Sequence, residues 1–141
     1  MLVKEEMEAM TISKITPILM VEEVEPCIQF WVERLGFDKT TEVPDGDKIG
    51  FAILQKGGLE LMYQSYASME KDLHGKDIAQ QTRRGPTCLY VEVENLDQII
   101  VATQGAPVVV PVRDTFYGAK EIGVKDPAGH IMVFAQFGAA A

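Results

Sequence analysis

Apolar residues recur along this chain with two different periods, and the periods alternate in an order that occurs twice. Residues 1–13 carry little pattern beyond an acidic, Met-rich character and read as a loose arm or short terminal helix. Ile15-Thr16-Pro17-Ile18-Leu19-Met20-Val21 is the first β-rich run, with Pro17 marking an edge position or a strand start. Glu25-Pro26 then opens a helix, because proline at the first helical position loses an N–H that has no partner there. Ile28, Trp31, Val32 and Leu35 give the helical stripe, and Gly36 predicts a left-handed cap. Phe37 to Val43 reads as a strand and Pro44-Asp45-Gly46-Asp47 as a turn. Two more strands follow, Ile49 to Gln55 and Leu59 to Ser65, joined by Lys56-Gly57-Gly58. The order so far is β, α, β, β, β.

A polar stretch over 67–85, with Arg83 and Arg84 adjacent, interrupts this and predicts a short helix plus a connector. The order then restarts. Thr87 to Val93 is a strand, and Asn95-Leu96-Asp97-Gln98 has the spacing of a helix cap, Asn95 accepting from a free N–H while Gln98 reaches back. Leu96, Ile99, Ile100 and Thr103 form the inward stripe, and Gly105 ends it. Val108 to Val112, Phe116 to Val124 and Ile131 to Phe137 are the remaining strands. The expected organisation is an arm (1–13), a first βαβββ module (14–66), a connector (67–85), a second βαβββ module (86–138) and a short tail (139–141). The fold class is α+β. Two curved mixed sheets, each with an outer helix, leave their inner faces to line a cleft.

Composition narrows the function classes. With 141 residues, 47% hydrophobic and 24% charged, the chain matches an ordinary globular domain. No apolar run approaches the roughly 20 residues a spanning helix needs, and the acidic start is not a signal peptide, so a cytoplasmic location without membrane contact is expected. A formal charge of −8 argues against nucleic acid as a partner, since phosphate binding depends on clustered Lys and Arg. Cys27 and Cys88 lack metal-type spacing and read as reduced thiols.

Several phrases in this order resemble the vicinal oxygen chelate superfamily, which includes glyoxalase I, extradiol dioxygenases and bleomycin-resistance proteins. They are Ile15 to Val21, Phe30-Trp31-Val32-Glu33-Arg34-Leu35-Gly36-Phe37, Leu59-Glu60-Leu61, Leu89-Tyr90-Val91 and Asp126-Pro127-Ala128-Gly129. The resemblance implies metal ligands on the cleft side of the first and last strand of each module. Here those positions are Thr16, Glu60, Pro86 and Val133. Proline and valine donate nothing, threonine is a poor ligand, and one carboxylate does not hold a divalent ion. His74, in the connector, and His130, after a turn glycine, read as surface and turn residues rather than ligands. The chain looks most like the metal-free bleomycin-resistance binders, which implies a homodimer that holds a small molecule without modifying it.

The expected ligand-binding face follows from period-2 alternation: Thr16 with Ile18, Glu60 with Met62 and Gln64, Cys88 with Tyr90, and Val133, with Phe116 and Tyr117 projecting over the mouth. Glu60, the one acid there, is expected to lack a structural partner and to anchor a cationic ligand. No nucleophile–base pair or phosphate loop is readable, so no catalytic residue and no cofactor is assigned. The function expected is metal-independent binding of a cationic or aromatic compound. The alternative is a metal-dependent lyase, isomerase or dioxygenase with an atypical site.

Overall fold

Two four-stranded mixed sheets, each backed by a helix, share one continuous core in the computed structural model, which describes residues 1–11, 14–72, 80, 83 and 85–138. A short helix α1 (Lys4–Ala9) precedes the first module, with every residue solvent-exposed. That module comprises β1 (Ile18–Val21), α2 (Glu25–Gln29), β2 (Asp38–Asp45), β3 (Lys48–Lys56) and β4 (Leu59–Ser65). Helix α3 (Tyr66–Asp72) follows and packs on β3 and β4. The second module comprises β5 (Cys88–Glu92), α4 (Leu96–Ala102), β6 (Val108–Asp114), β7 (Ala119–Lys125) and β8 (Ile131–Phe137). The sheet orders β1-β4-β3-β2 and β5-β8-β7-β6 are the same order twice. In each, the first and last strands pair in parallel, and the other two pairings are antiparallel. His74 and Arg84 lie outside the described residues.

Beyond shifts of one or two residues at strand ends, the expected and observed elements differ in three places. The first strand begins at Ile18 rather than Ile15, because Pro17 has no N–H for the ladder; its carbonyl opens the pairing by accepting from Met62 N at 2.9 Å. The first module's helix does not stay α-helical beyond α2. Its last turn, Phe30–Arg34, widens to π-helical, so that the adjacent rings of Phe30 and Trp31 are both buried. Phe116, Tyr117 and Gly118 form the turn between β6 and β7 rather than the start of a strand, closed by Thr115 N donating to Ala119 O at 2.8 Å. The two helix ends behave as expected, with Gly36 at φ 74° and Gly105 at φ 92°. Asn95 Oδ1 accepts from Gln98 N at 3.2 Å, while Leu96 N donates to the Gln136 side chain at 2.7 Å.

The core is formed where the helix-side faces of the two modules meet. Leu19, Val21, Leu61 and Tyr63 from the first module join Leu96, Val124, Met132 and Phe134 from the second. Polar groups cross the seam as well. Trp31 Nε1 donates to Tyr63 Oη at 2.7 Å, and Tyr63 Oη donates to Asp126 Oδ2 at 2.7 Å. Asp126 Oδ1 also accepts from His130 N at 2.8 Å, which shapes the β7–β8 turn. His130 is itself buried, its Nδ1 accepting from Thr87 N at 2.8 Å and its Nε2 lying 2.9 Å from Met20 O. The turn histidine is therefore a joint between modules and not a surface residue, a placement that only the tertiary packing could reveal.

Candidate functional site: two sheet faces and the groove between them

On each sheet, alternate residues face away from the helices. In the first module Ile18 lies opposite Met62 and Met20 opposite Gln64, so the expected face is assembled by the parallel β1–β4 ladder. Met20 and Gln64 are buried, Met62 is partly buried, and Ile18 is exposed. In the second module Cys88 lies opposite Ile131 and Tyr90 opposite Val133. Cys88 and Tyr90 are exposed, and Val133 is partly buried.

The four positions expected to correspond to metal ligands are only half assembled. Thr16 and Glu60 touch, with Thr16 Oγ1 donating to Glu60 Oε1 at 3.2 Å. Val133, however, is in register with Tyr90, four residues beyond Pro86. Among the described residues, no three His, Cys, Asp or Glu side chains gather in one place.

Glu60 does have structural partners, contrary to expectation. Lys14 Nζ sits 2.7 Å from Oε1, and Gln55 donates to Oε2. The residue faces Gln55 across the β3–β4 hairpin, and Lys14, two residues before Thr16, reaches it from ahead of β1. With these donors around it, and the bond from Lys14 foremost, the Glu60 carboxyl is held below its ordinary value. Sequence reading could assign Glu60 to a face but could not see that Lys14 ahead of β1 and a hairpin partner would converge on it.

A groove of about 490 Å³ runs along the seam beside this carboxylate. It is lined by Glu60, Leu59 and Phe37 from the first module and by Leu89, Tyr90 and Glu92 from the second. The volume is within the range of small-molecule sites, and apolar side chains form most of its wall. Glu60 and Tyr90, on separate sheets, thus share one cavity.

Tyr90 leads to a residue the sequence analysis missed. Glu121 on β7 pairs with Ala135 and faces the open side of the second sheet, yet it is only 1% exposed. Tyr90 and Tyr117 both donate their hydroxyls to its Oε2. Arg113, its partner across the β6–β7 ladder, reaches Oε1 from Nε at 3.2 Å and from Nη2 at 3.0 Å. These bonds, that of Tyr117 first, hold the Glu121 carboxyl below its ordinary value. Burial, followed by the bond to Glu121, raises the Tyr90 phenol above its own. The signal available in the sequence was one acid immediately before the apolar run Ile122-Gly123-Val124; its tyrosine partners come from β5 and from the preceding turn.

The repeated βαβββ unit with parallel first and last strands defines a paired-module α+β protein. The chain belongs to the Glyoxalase/Bleomycin resistance protein/Dioxygenase superfamily, whose family model matches residues 11–134. No curated protein sequence matches it. Among solved structures it is similar to TioX from Micromonospora sp. ML1, at 18% identity and TM-score 0.68, over 88% of this chain and 98% of that one. It is also similar to the bleomycin-binding protein of Streptomyces verticillus, solved with copper(II)-bleomycin, at 23% identity and TM-score 0.58, over 89% and 96%. A third relative in structure is a lactoylglutathione lyase from Agrobacterium tumefaciens, at 14% identity and TM-score 0.69, over 89% and 95%. At these identities the likeness establishes the fold. Both a binding protein and a lyase share it. Among the described residues, no helix is long and apolar enough to cross a membrane.

Proposed function

We propose that this protein binds an amphipathic aromatic small molecule on its open sheet faces and seam groove, without a metal and without modifying it. The observation that carries this reading is the fate of Glu60. It is the one acid at the four positions where the superfamily's ligands would fall, and Lys14, Gln55 and Thr16 already saturate it. Proline and valine at the other module's positions add no donor, so a divalent ion would find a single carboxylate whose charge is already paired. The ion pair also takes weight from a cationic ligand at Glu60, since such a ligand must first displace Lys14. What remains is dispersion contact with Phe37, Leu59, Leu89 and Tyr90, which suits an aromatic body. A reducing compartment fits Cys88, an unpaired thiol exposed on an open face.

Two measurements test the reading. Metal analysis of protein purified without chelator is expected to give well under one Zn, Ni, Mn or Fe per chain; near one per chain, lost in Glu60→Gln, would replace binding with metal-dependent chemistry. A melting-temperature screen is expected to pick out polycyclic aromatic compounds, because a ligand that binds only the folded state raises the melting point in proportion to ln(1 + [L]/Kd). No shift with any aromatic compound at millimolar concentration would reject it.

A further inference from the structure

The cluster around Glu121 narrows that ligand further. Its four rings form a chain on the open side of the second sheet. Tyr90 and Phe137 have centroids 6.4 Å apart, Phe137 and Tyr117 6.1 Å, and Tyr117 and Phe116 5.0 Å. Phe116 is 100% exposed, and the other three are each between 41% and 50%. A globular surface rarely leaves four large rings together in water without a partner for them. The two tyrosine rings are also fixed in place, because each spends its hydroxyl on the buried Glu121 carboxylate.

The charge of that carboxylate is spent too. Two phenols and one guanidinium take it up, and its oxygens face inward. The group that presents charge outward is Arg113, whose side chain is 56% exposed. Its Nε and Nη2 both contact Glu121 Oε1, which leaves the Nη1–Nη2 edge uncommitted among the described residues. That edge is the end-on fork that receives a carboxylate through two parallel hydrogen bonds. Glu121 fixes the other edge of the guanidinium through these two contacts, so little side-chain freedom is lost when a ligand arrives.

We infer that the Arg113–Tyr90–Tyr117–Phe137–Phe116 cluster is a binding site for a planar aromatic acid, its ring against the aromatic chain and its carboxylate on the free edge of Arg113. The inference rests on the small-molecule reading above and reverses the sign of the charge that the sequence suggested. A cationic ligand at this place would meet the guanidinium.

The test compares two probes with one ring system and opposite charge, 2-naphthoate and 2-naphthylmethylammonium, by calorimetric titration of the full chain. 2-Naphthoate is expected to bind at least ten-fold tighter than the amine. Arg113→Lys, which keeps the charge on Glu121 but loses the fork, is expected to weaken 2-naphthoate at least ten-fold. Phe116→Ala is expected to weaken it several-fold with the free protein's melting temperature unchanged, because that ring is fully exposed. Equal binding of both probes, or 2-naphthoate binding that ignores both substitutions, overturns the aromatic-acid site while leaving small-molecule binding intact. Failure of both probes, together with a silent melting screen, removes both readings. A shift of Phe116→Ala to a smaller species in sedimentation, with probe affinity unchanged, assigns the rings to a subunit contact and overturns the site.

Discussion

Tyr63 shows how much a single hydroxyl holds. It is fully buried, accepts from Trp31 and donates to Asp126, and so joins the π-helical turn after α2, strand β4 and the β7–β8 turn. Burial, with the nearby Asp126 charge, pushes its phenol far above the ordinary value, so it stays protonated and able to donate. Tyr63→Phe preserves the ring and removes both bonds, leaving an indole N–H and a carboxylate oxygen without their buried partner. Each orphaned group costs about 1–3 kcal/mol. The expected result is a lower urea midpoint with an unchanged m-value, whereas an unchanged midpoint would show that water replaces the hydroxyl. The same scale explains what the sequence could not disclose about the site. Alternation assigns Thr16, Glu60, Tyr90 and Val133 each to one side of a strand, but Lys14 against Glu60 and Tyr90 against Glu121 are contacts between distant segments. Periodicity reports which way a side chain points, not what it meets.

Among the elements, α3 depends on one small residue of β3. A Cβ built on Gly50 would lie 2.9 Å from Ser68 Cβ on α3 and 2.9 Å from Asp45 Cβ on β2, closer than real Cβ contacts. The glycine is needed for this close approach rather than for a special dihedral. Gly50→Ala therefore pushes α3 away from the sheet or shifts the β2–β3 hairpin, and overpacking of this kind typically costs about 1–3 kcal/mol. Thermal unfolding of the variant should show that loss; a melting point equal to wild type would mean α3 moves freely. Most elements were legible beforehand. Leu59–Ser65 and Ile131–Phe137 were bounded correctly because glycine-containing turns precede clean apolar strands, and both helix ends were marked by Gly36 and Gly105. Sequence patterns fell short where packing overrode them. The π-helical turn at Phe30–Arg34 arises where two adjacent aromatic residues are both buried, which no helical period anticipates. Asn95 and Gly36 signal their own local geometry, whereas the contact of α3 with Gly50 exists only once the hairpin has formed.

At the scale of the whole molecule, the two modules bury their helix sides against each other and leave their other faces open. Ile18 stays exposed on the first module's open face, and Met7, Met10 and Ile15 stay exposed in the N-terminal segment before it. Exposed apolar side chains of this kind favour a covering partner, so we expect a symmetric homodimer in which each chain covers part of the other's first-module face and leaves the second sheet's ring cluster free. The formal charge of −8 on each chain sets a condition on that assembly. Two like-charged subunits repel over a distance that shrinks from about 30 Å at 0.01 M salt to about 8 Å at 0.15 M. Apolar burial is far less sensitive to salt over this range, so dimerisation should strengthen as ionic strength rises. Sedimentation at micromolar concentration is expected to give about twice the 15.6 kDa chain mass at 0.15 M salt, with a monomer fraction emerging at 0.01 M. A single 15.6 kDa species at both ionic strengths would reject the dimer. A dimer that instead dissociates at high salt would mean that ion pairs hold the interface, and the exposed apolar residues would then be left for ligands alone.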